Sequence, residues 1–150
     1  MKPRIPAVIV ALVLLTASAF AEPQKVDPND SSTIARMTLA AFQPLQAKGK
    51  VLVLDVREPH AVEAGRIPGA LNVPLFEVGK RIAEIKKKAD GRRIVAYCTC
   101  PGEHTAAEAL LILHNRGVKN VSALTGGYTE WVKAGGTVER VTTDRQPRRH

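Results

Sequence analysis

Aromatic side chains are scarce in this chain: three Phe, two Tyr and one Trp make up 4% of its 150 residues. Basic residues outnumber acidic ones, 22 against 14. They are not interleaved with aromatics on which bases could stack, which argues against nucleic acid as a partner. A basic surface still favours anionic ligands and acidic partners. Cysteine is scarcer still, with Cys98 and Cys100 the only two. A bridge between them would close a tiny loop and constrain little of the unfolded chain. Their closeness therefore suits redox or ligand chemistry better than stapling. Long apolar runs are missing after the first twenty residues, so no later stretch is expected to span a membrane.

The one apolar run is at the start. Lys2 and Arg4 precede "AVIVALVLLTASAFA", which ends in Ala19-Phe20-Ala21. This order of charged, apolar and small residues is that of a secretory signal cut after Ala21. The run from Ala7 to Phe20 falls short of the roughly 20 residues a membrane span needs. The expectation is an exported chain, periplasmic or secreted, with no stable membrane span after cleavage. Removing residues 1–21 leaves 129 and lowers the formal charge from +8 to +6, enough chain for one core and not two. Residues 22–32, "EPQKVDPNDSS", have no periodic apolar face and are expected to form a linker. The folded domain is expected over 33–136, followed by a basic C-terminal tail over 137–150.

Within that domain, short apolar runs alternate with helix-period segments. "VLVLDV" (Val51 to Val56), "RRIVAYC" (Arg92 to Cys98) and "NVSALT" (Asn120 to Thr125) are strand-like, the first two continuous enough to be covered on both faces. Weaker strands fit "ALNVPL" and the stretch from Ala35 to Met37. Val78, Ile82 and Ile85 recur at helical spacing, with Lys86, Lys87 and Lys88 turned to water and an end near Asp90-Gly91. Ala106, Ala109, Leu110 and Leu113 make another helical face, stopped by Gly117. A first helix around Leu39 to Ala47 carries Pro44, expected to kink or shorten it. Such alternation predicts a single-domain, three-layer α/β fold, a parallel central sheet with helices on both faces. Ligands of such sheets gather at the carboxyl ends of the strands. That rule places Arg57-Glu58, Cys98-Thr99 and Thr125-Gly126-Gly127 on one edge.

The segment "YCTCPGEHTA" concentrates the chemistry. Cys98 ends a strand, and a helix is expected to begin near His104 or Thr105. The intervening loop can curl its backbone N–H groups inward, and the positive helix end adds to the field. A thiol of pKa about 8.5 is only about 3% thiolate at pH 7, and a shift to about 6.5 makes it mostly thiolate. Cys98 is thus the candidate nucleophile. Thr99, Cys100, Pro101, Gly102, Glu103, His104 and Thr105 form the expected anion-binding loop.

These segments resemble the rhodanese-like domains. "VLVLDVREPHAVEAGRIPGALNVPL" is similar to that family's Asp-Val-Arg and Gly-x-Ile-Pro-Gly-Ala region, "IVAYCTCPGEHTAAEAL" to its catalytic strand, loop and helix, and "ALTGGYTEW" to its closing Gly-Gly-x-x-x-Trp motif. The resemblance covers about Arg36 to Gly135. It implies a sulfurtransferase in which Cys98 carries sulfane sulfur as a persulfide. The donor would be small, such as thiosulfate or a persulfide, and the acceptor a thiol or a protein. No cofactor and no metal are called for.

The loop departs from the family in three ways. It counts seven residues from Cys98 to His104, where the usual rhodanese loop has six. That length resembles the related phosphatases and arsenate reductases, but His104 stands where their oxyanion-binding arginine would be, so phosphatase activity is disfavoured. Glu103 would repel a dianionic donor if turned inward, selecting a neutral or thiol-bearing one; the outward orientation is the expected one. Cys100, the auxiliary thiol, can resolve a persulfide or sulfenate on Cys98 and leave a disulfide for an external reductant to reset. The alternative functions are accordingly a thiol redox or detoxifying enzyme using the Cys98/Cys100 pair, or a non-catalytic module binding sulfur or a soft metal through Cys98, Cys100 and His104.

Elsewhere the expectations are structural. Asp55 is a supporting residue at a strand end. Arg57 either faces the site or braces neighbouring acids. His60 and His114 are expected at the surface, His114 near a helix end where positive charge is welcome. Pro68, Gly69 and Ala70 form a turn. Gly126 and Gly127 allow the chain to approach the cysteine loop, and Trp131 belongs to the core.

Overall fold

The computed structural model describes residues 25–140. The expected signal over 1–21 lies outside the described residues, as does most of the basic tail. Five strands build one sheet: β1 (Arg36–Met37), β2 (Val51–Asp55), β3 (Leu71–Asn72), β4 (Arg93–Tyr97) and β5 (Val121–Leu124). Their spatial order is β1-β5-β4-β2-β3. Every pairing is parallel, with Val51 opposite Arg93 and Asp55 opposite Tyr97 in the central pair. The helices are α1 (Leu39–Ala47), α2 (Pro59–Glu63), α3 (Leu75–Val78), α4 (Ile82–Ala89), α5 (His104–Asn115) and α6 (Gly127–Lys133).

The pleat divides the core into two layers, because successive strand residues point to opposite faces. Leu52, Leu54, Ile94, Ala96 and Ala123 pack on one side with Ile85 of α4 and with Ala106, Leu110 and Leu113 of α5. Val51, Val53, Val95, Tyr97 and Leu124 pack on the other with Phe42 of α1 and Trp131 of α6. Cys98 belongs to the α5 side and Tyr97 to the α1/α6 side. Trp131 is core, set edge-on to Phe42 with its indole N–H donating to the Thr137 carbonyl.

Some elements differ from the sequence reading. Val78 does not share a helix with Ile82 and Ile85; Gly79, Lys80 and Arg81 separate α3 from α4, and glycine is a poor helix former. Arg81 ties the break together, with its guanidinium on Glu77 and Glu84. Helix α1 runs its full length through Pro44, begun by a Thr38 side chain that accepts from the Ala41 N–H. Helix α2 is an addition, opened by Pro59 in its first turn. His114 is not a free surface residue: it is half-buried, its Nδ1 lacks a partner, and burial together with Lys119 pulls its pKa below the ordinary value.

Contacts continue past both ends of the expected domain. Asn115 of α5 donates to the Pro28 carbonyl. At the other end Arg66 and Glu139 form an antiparallel bridge. The Glu139 carboxylate takes the Arg66 guanidinium at 2.6 Å and the Gly69 N–H at 2.8 Å.

Candidate active site

The central strands β2 and β4 end side by side, and their continuations build the site. Cys98 follows β4 directly and is only 3% exposed. After it the chain turns through Thr99 and Cys100 into a single 3-10 turn, Pro101–Glu103, and then into α5. Two left-handed residues in succession, Gly102 (φ 68°) and Glu103 (φ 56°), make this turn. Glycine suits this left-handed position; a Cβ there would stand 2.9 Å from the ring of His104, an exposed side chain that can turn aside. Among the described residues, the N–H groups of Thr99, Cys100 and Gly102 meet no acceptor. The loop thus carries open backbone donors beside a twelve-residue helix, a combination that favours negative charge.

The β5–α6 connection holds the base of this loop. The Tyr128 N–H donates to the Cys98 carbonyl at 3.0 Å. Gly127 (φ 51°) lies so close that a Cβ would collide with that same carbonyl oxygen. Sequence reading placed Gly126 and Gly127 beside the cysteine loop for close approach, and here they are.

Glu103 is spent on neighbouring elements, although it shares a hollow with Thr99, Cys100 and Gly102. Its carboxylate accepts from the Gly126 N–H at 2.7 Å and lies 3.3 Å from Arg36 Nε. It therefore latches the cysteine loop to the β5–α6 loop, a role that sequence reading did not identify. His104 is exposed, folded against Gly102.

Asp55 lies beneath the site, and Arg57, whose guanidinium turns down to it, also lines the pocket beside Cys98. Strand alternation puts 51, 53 and 55 on the face away from Cys98. Asp55 is fully buried, and the Arg57 guanidinium grips both its oxygens, at 2.9 and 2.7 Å. The same guanidinium donates to the Gly65 carbonyl and lies over the Tyr128 ring at 4.0 Å. Burial opposes the Arg57 charge, but Asp55 outweighs it and holds the guanidinium more basic than usual. Tyr97 completes the cluster, donating its hydroxyl to Asp55 at 2.6 Å and accepting from the Ile67 N–H at 3.1 Å. Burial first, then the Asp55 charge, raises the Tyr97 pKa. Asn72 fastens the turn after β2, donating to the carbonyls of Asp55 and Arg57.

A pocket of about 310 Å³ opens on the α5 side of the sheet edge, lined by Val56, Glu58, His60, Ala61, Leu75, Cys98, Cys100 and Thr105 among others. Its walls carry no unpaired cation, since Arg57 is committed to Asp55. His60 is exposed at this pocket. A smaller hollow of about 220 Å³ lies on the other side of the loop, between Thr99, Glu103, Gly126 and Glu130.

The two cysteines are joined to each other as a disulfide, with Cα atoms 5.7 Å apart. Among the described residues no three His, Cys, Asp or Glu side chains converge as a metal site would require, so Cys98, Cys100 and His104 do not form a ligand set here.

Residues 38–134 match the Rhodanese-like domain family, and the chain belongs to it. Among curated proteins, it is 38% identical over 99 residues to the HTH-type transcriptional regulator Rv0324 of Mycobacterium tuberculosis, covering 66% of this chain and 42% of the regulator. It is 34% identical over 85 residues to a sulfurtransferase of Allochromatium vinosum, covering 57% of this chain and 75% of that one. The chain spans about half the length of several curated relatives that it matches. Among solved structures, a Rhodopseudomonas palustris protein of unknown function, described as a possible tyrosine phosphatase, superimposes with a TM-score of 0.64 at 25% identity. That match covers 78% of this chain and 98% of the other. Sulfurtransferases recur among the relatives, beside a transcriptional regulator and uncharacterized proteins.

Proposed function

We propose that this rhodanese-like protein is a sulfurtransferase whose Cys98 accepts a sulfane sulfur and passes it to a thiophilic acceptor. One observation carries the reading: Cys98 sits at the buried end of the central strand, on the floor of a pocket, under a loop with open amides at Thr99, Cys100 and Gly102. In the reduced protein the Cys98 thiolate attacks the outer sulfur of a donor such as thiosulfate or a persulfide. The donor's S–S bond breaks, and sulfite or a thiolate leaves with the electron pair. The loop amides face the charge that builds up. An acceptor thiol then attacks the outer sulfur of the Cys98 persulfide and restores the Cys98 thiolate. Asp55 and Arg57 act at one remove, by fixing the turn after β2 that walls the pocket. Intact mass after incubation with thiosulfate or an inorganic polysulfide tests the proposal: the reduced Cys100→Ser protein gains about 32 mass units, one sulfur atom. The Cys98→Ser protein gains nothing. Loading that persists without Cys98 overturns it.

The Cys98–Cys100 bond favours a second reading, a thiol redox enzyme working through that pair. It predicts a loss of about two mass units under oxidant, reversed by thiol, with no sulfur adduct on any variant. Phosphatase chemistry lacks its oxyanion-binding arginine, since no Arg lies in the loop. We further propose that residues 1–21 direct export to the periplasm or beyond the cell, with cleavage after Ala21; a chain that stays in the cytoplasm and keeps residues 1–21 would refute it.

A further inference from the structure

The sulfur nearest the N-terminus of α5 is not that of Cys98. The Thr105 N–H donates to Cys100 Sγ at 3.4 Å, and Thr105 Oγ1 lies 3.3 Å from the same sulfur. Both groups belong to the first turn of a twelve-residue helix. Cys98 Sγ has instead the carbonyl oxygen of Cys100 at 3.9 Å. The Thr105 N–H donates to the sulfur, and the Thr105 hydroxyl, which accepts from a Cys100 thiol, can turn its own proton toward a thiolate. Donors favour the thiolate, whereas a carbonyl, which can only accept, favours the protonated thiol. The two bonded sulfurs are therefore electrostatically unequal. The sequence alone assigned the helix field to Cys98, and the geometry gives the closer share to Cys100.

We propose that Thr105 holds Cys100 as the standing thiolate of the pair, making Cys100 the resolving group for a persulfide on Cys98 and the first to leave when the disulfide is reduced. The inference rests on the sulfur-carrying role of Cys98. In the resolving step the Cys100 thiolate attacks the inner sulfur of the Cys98 persulfide. The Cys98–Cys100 bond forms, the bond to the outer sulfur breaks, and that sulfur departs with the electron pair as hydrosulfide. The sulfane sulfur gains two electrons and the two cysteines together lose two. Resetting consumes two equivalents of a low-molecular-weight thiol. The first attacks Cys98 Sγ from the pocket that both cysteines line, and Cys100 leaves as the thiolate held by Thr105. The second attacks the mixed disulfide, releasing an external disulfide and Cys98. With this cycle the protein reduces sulfane sulfur to sulfide at the expense of thiol, in addition to handing it on intact.

The charged and titratable neighbours leave Thr105 as the deciding group. Arg57 is spent on Asp55, Glu103 on Arg36 and the Gly126 amide, and His104 is exposed. Glu58 and His60 border the pocket, and Glu130 the hollow behind the loop.

Two measurements on the reduced protein test this. The rate of iodoacetamide alkylation against pH in Cys98→Ser should place Cys100 at least one unit below the usual value of about 8.5. Adding Thr105→Val should raise it by about one unit, and Thr105→Ser should leave it in place. In Cys100→Ser, the Cys98 profile should not respond to Thr105→Val. A Cys98 more acidic than Cys100, or a Cys100 profile indifferent to Thr105→Val, overturns the assignment. In a single turnover with inorganic polysulfide, the wild type should release one equivalent of sulfide and finish about two mass units below the reduced chain. Thr105→Val should instead accumulate the form about 32 units heavier, and Thr105→Ser should behave as the wild type. A wild type that keeps the added sulfur and releases no sulfide overturns the resolving role. Failure of Cys100→Ser to load sulfur overturns the sulfur-carrying reading, and the alkylation profiles decide the thiolate assignment independently of that result.

Discussion

Gly127 meets the Cys98 carbonyl with a positive φ of 51°, a conformation that only glycine adopts freely. Any larger residue there must push the β5–α6 loop away from the base of the cysteine loop, and the obstacle is backbone, which cannot rotate aside. Gly127→Ala is expected to cost at least about 1–3 kcal/mol. It is also expected to weaken the Tyr128 N–H bond to Cys98 and so lower the rate of sulfur loading. Denaturant unfolding and loading rates measured on the same preparation check this; unchanged values in both would show that the contact is dispensable. Glu103 shows the limit of sequence reading at this scale. Its direction depends on its own left-handed backbone and on a loop 23 residues away, and neither leaves a mark on local composition.

Tyr97 connects three elements through one hydroxyl: it ends β4, donates to Asp55 at the end of β2, and accepts from Ile67 in the turn before β3. Tyr97→Phe keeps the ring stacked on Tyr128 but strands the Ile67 N–H and takes one of two donors from an oxygen of a fully buried carboxylate, which keeps only Arg57. The expected loss is about 1–3 kcal/mol in denaturant unfolding, with sulfur loading on Cys98 retained. A neutral substitution would show that Arg57 alone secures Asp55.

Much of this element-level frame was legible in the chain. "VLVLDV" and "RRIVAYC" are β-branched and apolar without interruption, as two-sided burial demands, and they became the central pair β2 and β4. Alternating strand and helix patterns then implied the parallel order and the edge where loops gather. The five-residue helix α2 left no sign because it is too short to show a period. The break between α3 and α4 was overridden by apolar spacing, although Gly79 marked it. Cys98 and Cys100 were legible as neighbours at one sheet edge from the sequence, and they are bonded to each other. Which of them faces Thr105 was not, since that depends on how the loop folds through Gly102 and Glu103.

At the scale of the whole molecule, the chain closes on itself through Glu139. Its carboxylate binds Arg66 and the Gly69 amide, and these bonds hold its pKa below the ordinary carboxylate value. A carboxylate more acidic in the folded than in the unfolded state adds stability that is fully present above the unfolded value, about 4.3. That stability is lost as pH falls through the lower, folded value. Glu139→Gln should therefore reduce stability at neutral pH and flatten the decline on acidification. Melting temperatures of both proteins between about pH 3 and pH 7 check it. Parallel curves for the two would show that the closure contributes nothing.

The pleat that separates Tyr97 from Cys98 has a consequence for how this protein can change. Consecutive in the chain, they report to different sides of one sheet: the ionic clamp on Asp55 lies on one, the sulfur proposed to carry the chemistry on the other. Inheritance or engineering can thus retune reactivity by altering the loop and its helix without spending the scaffold's margin. Damage to the clamp, conversely, will surface as lost protein rather than as altered chemistry.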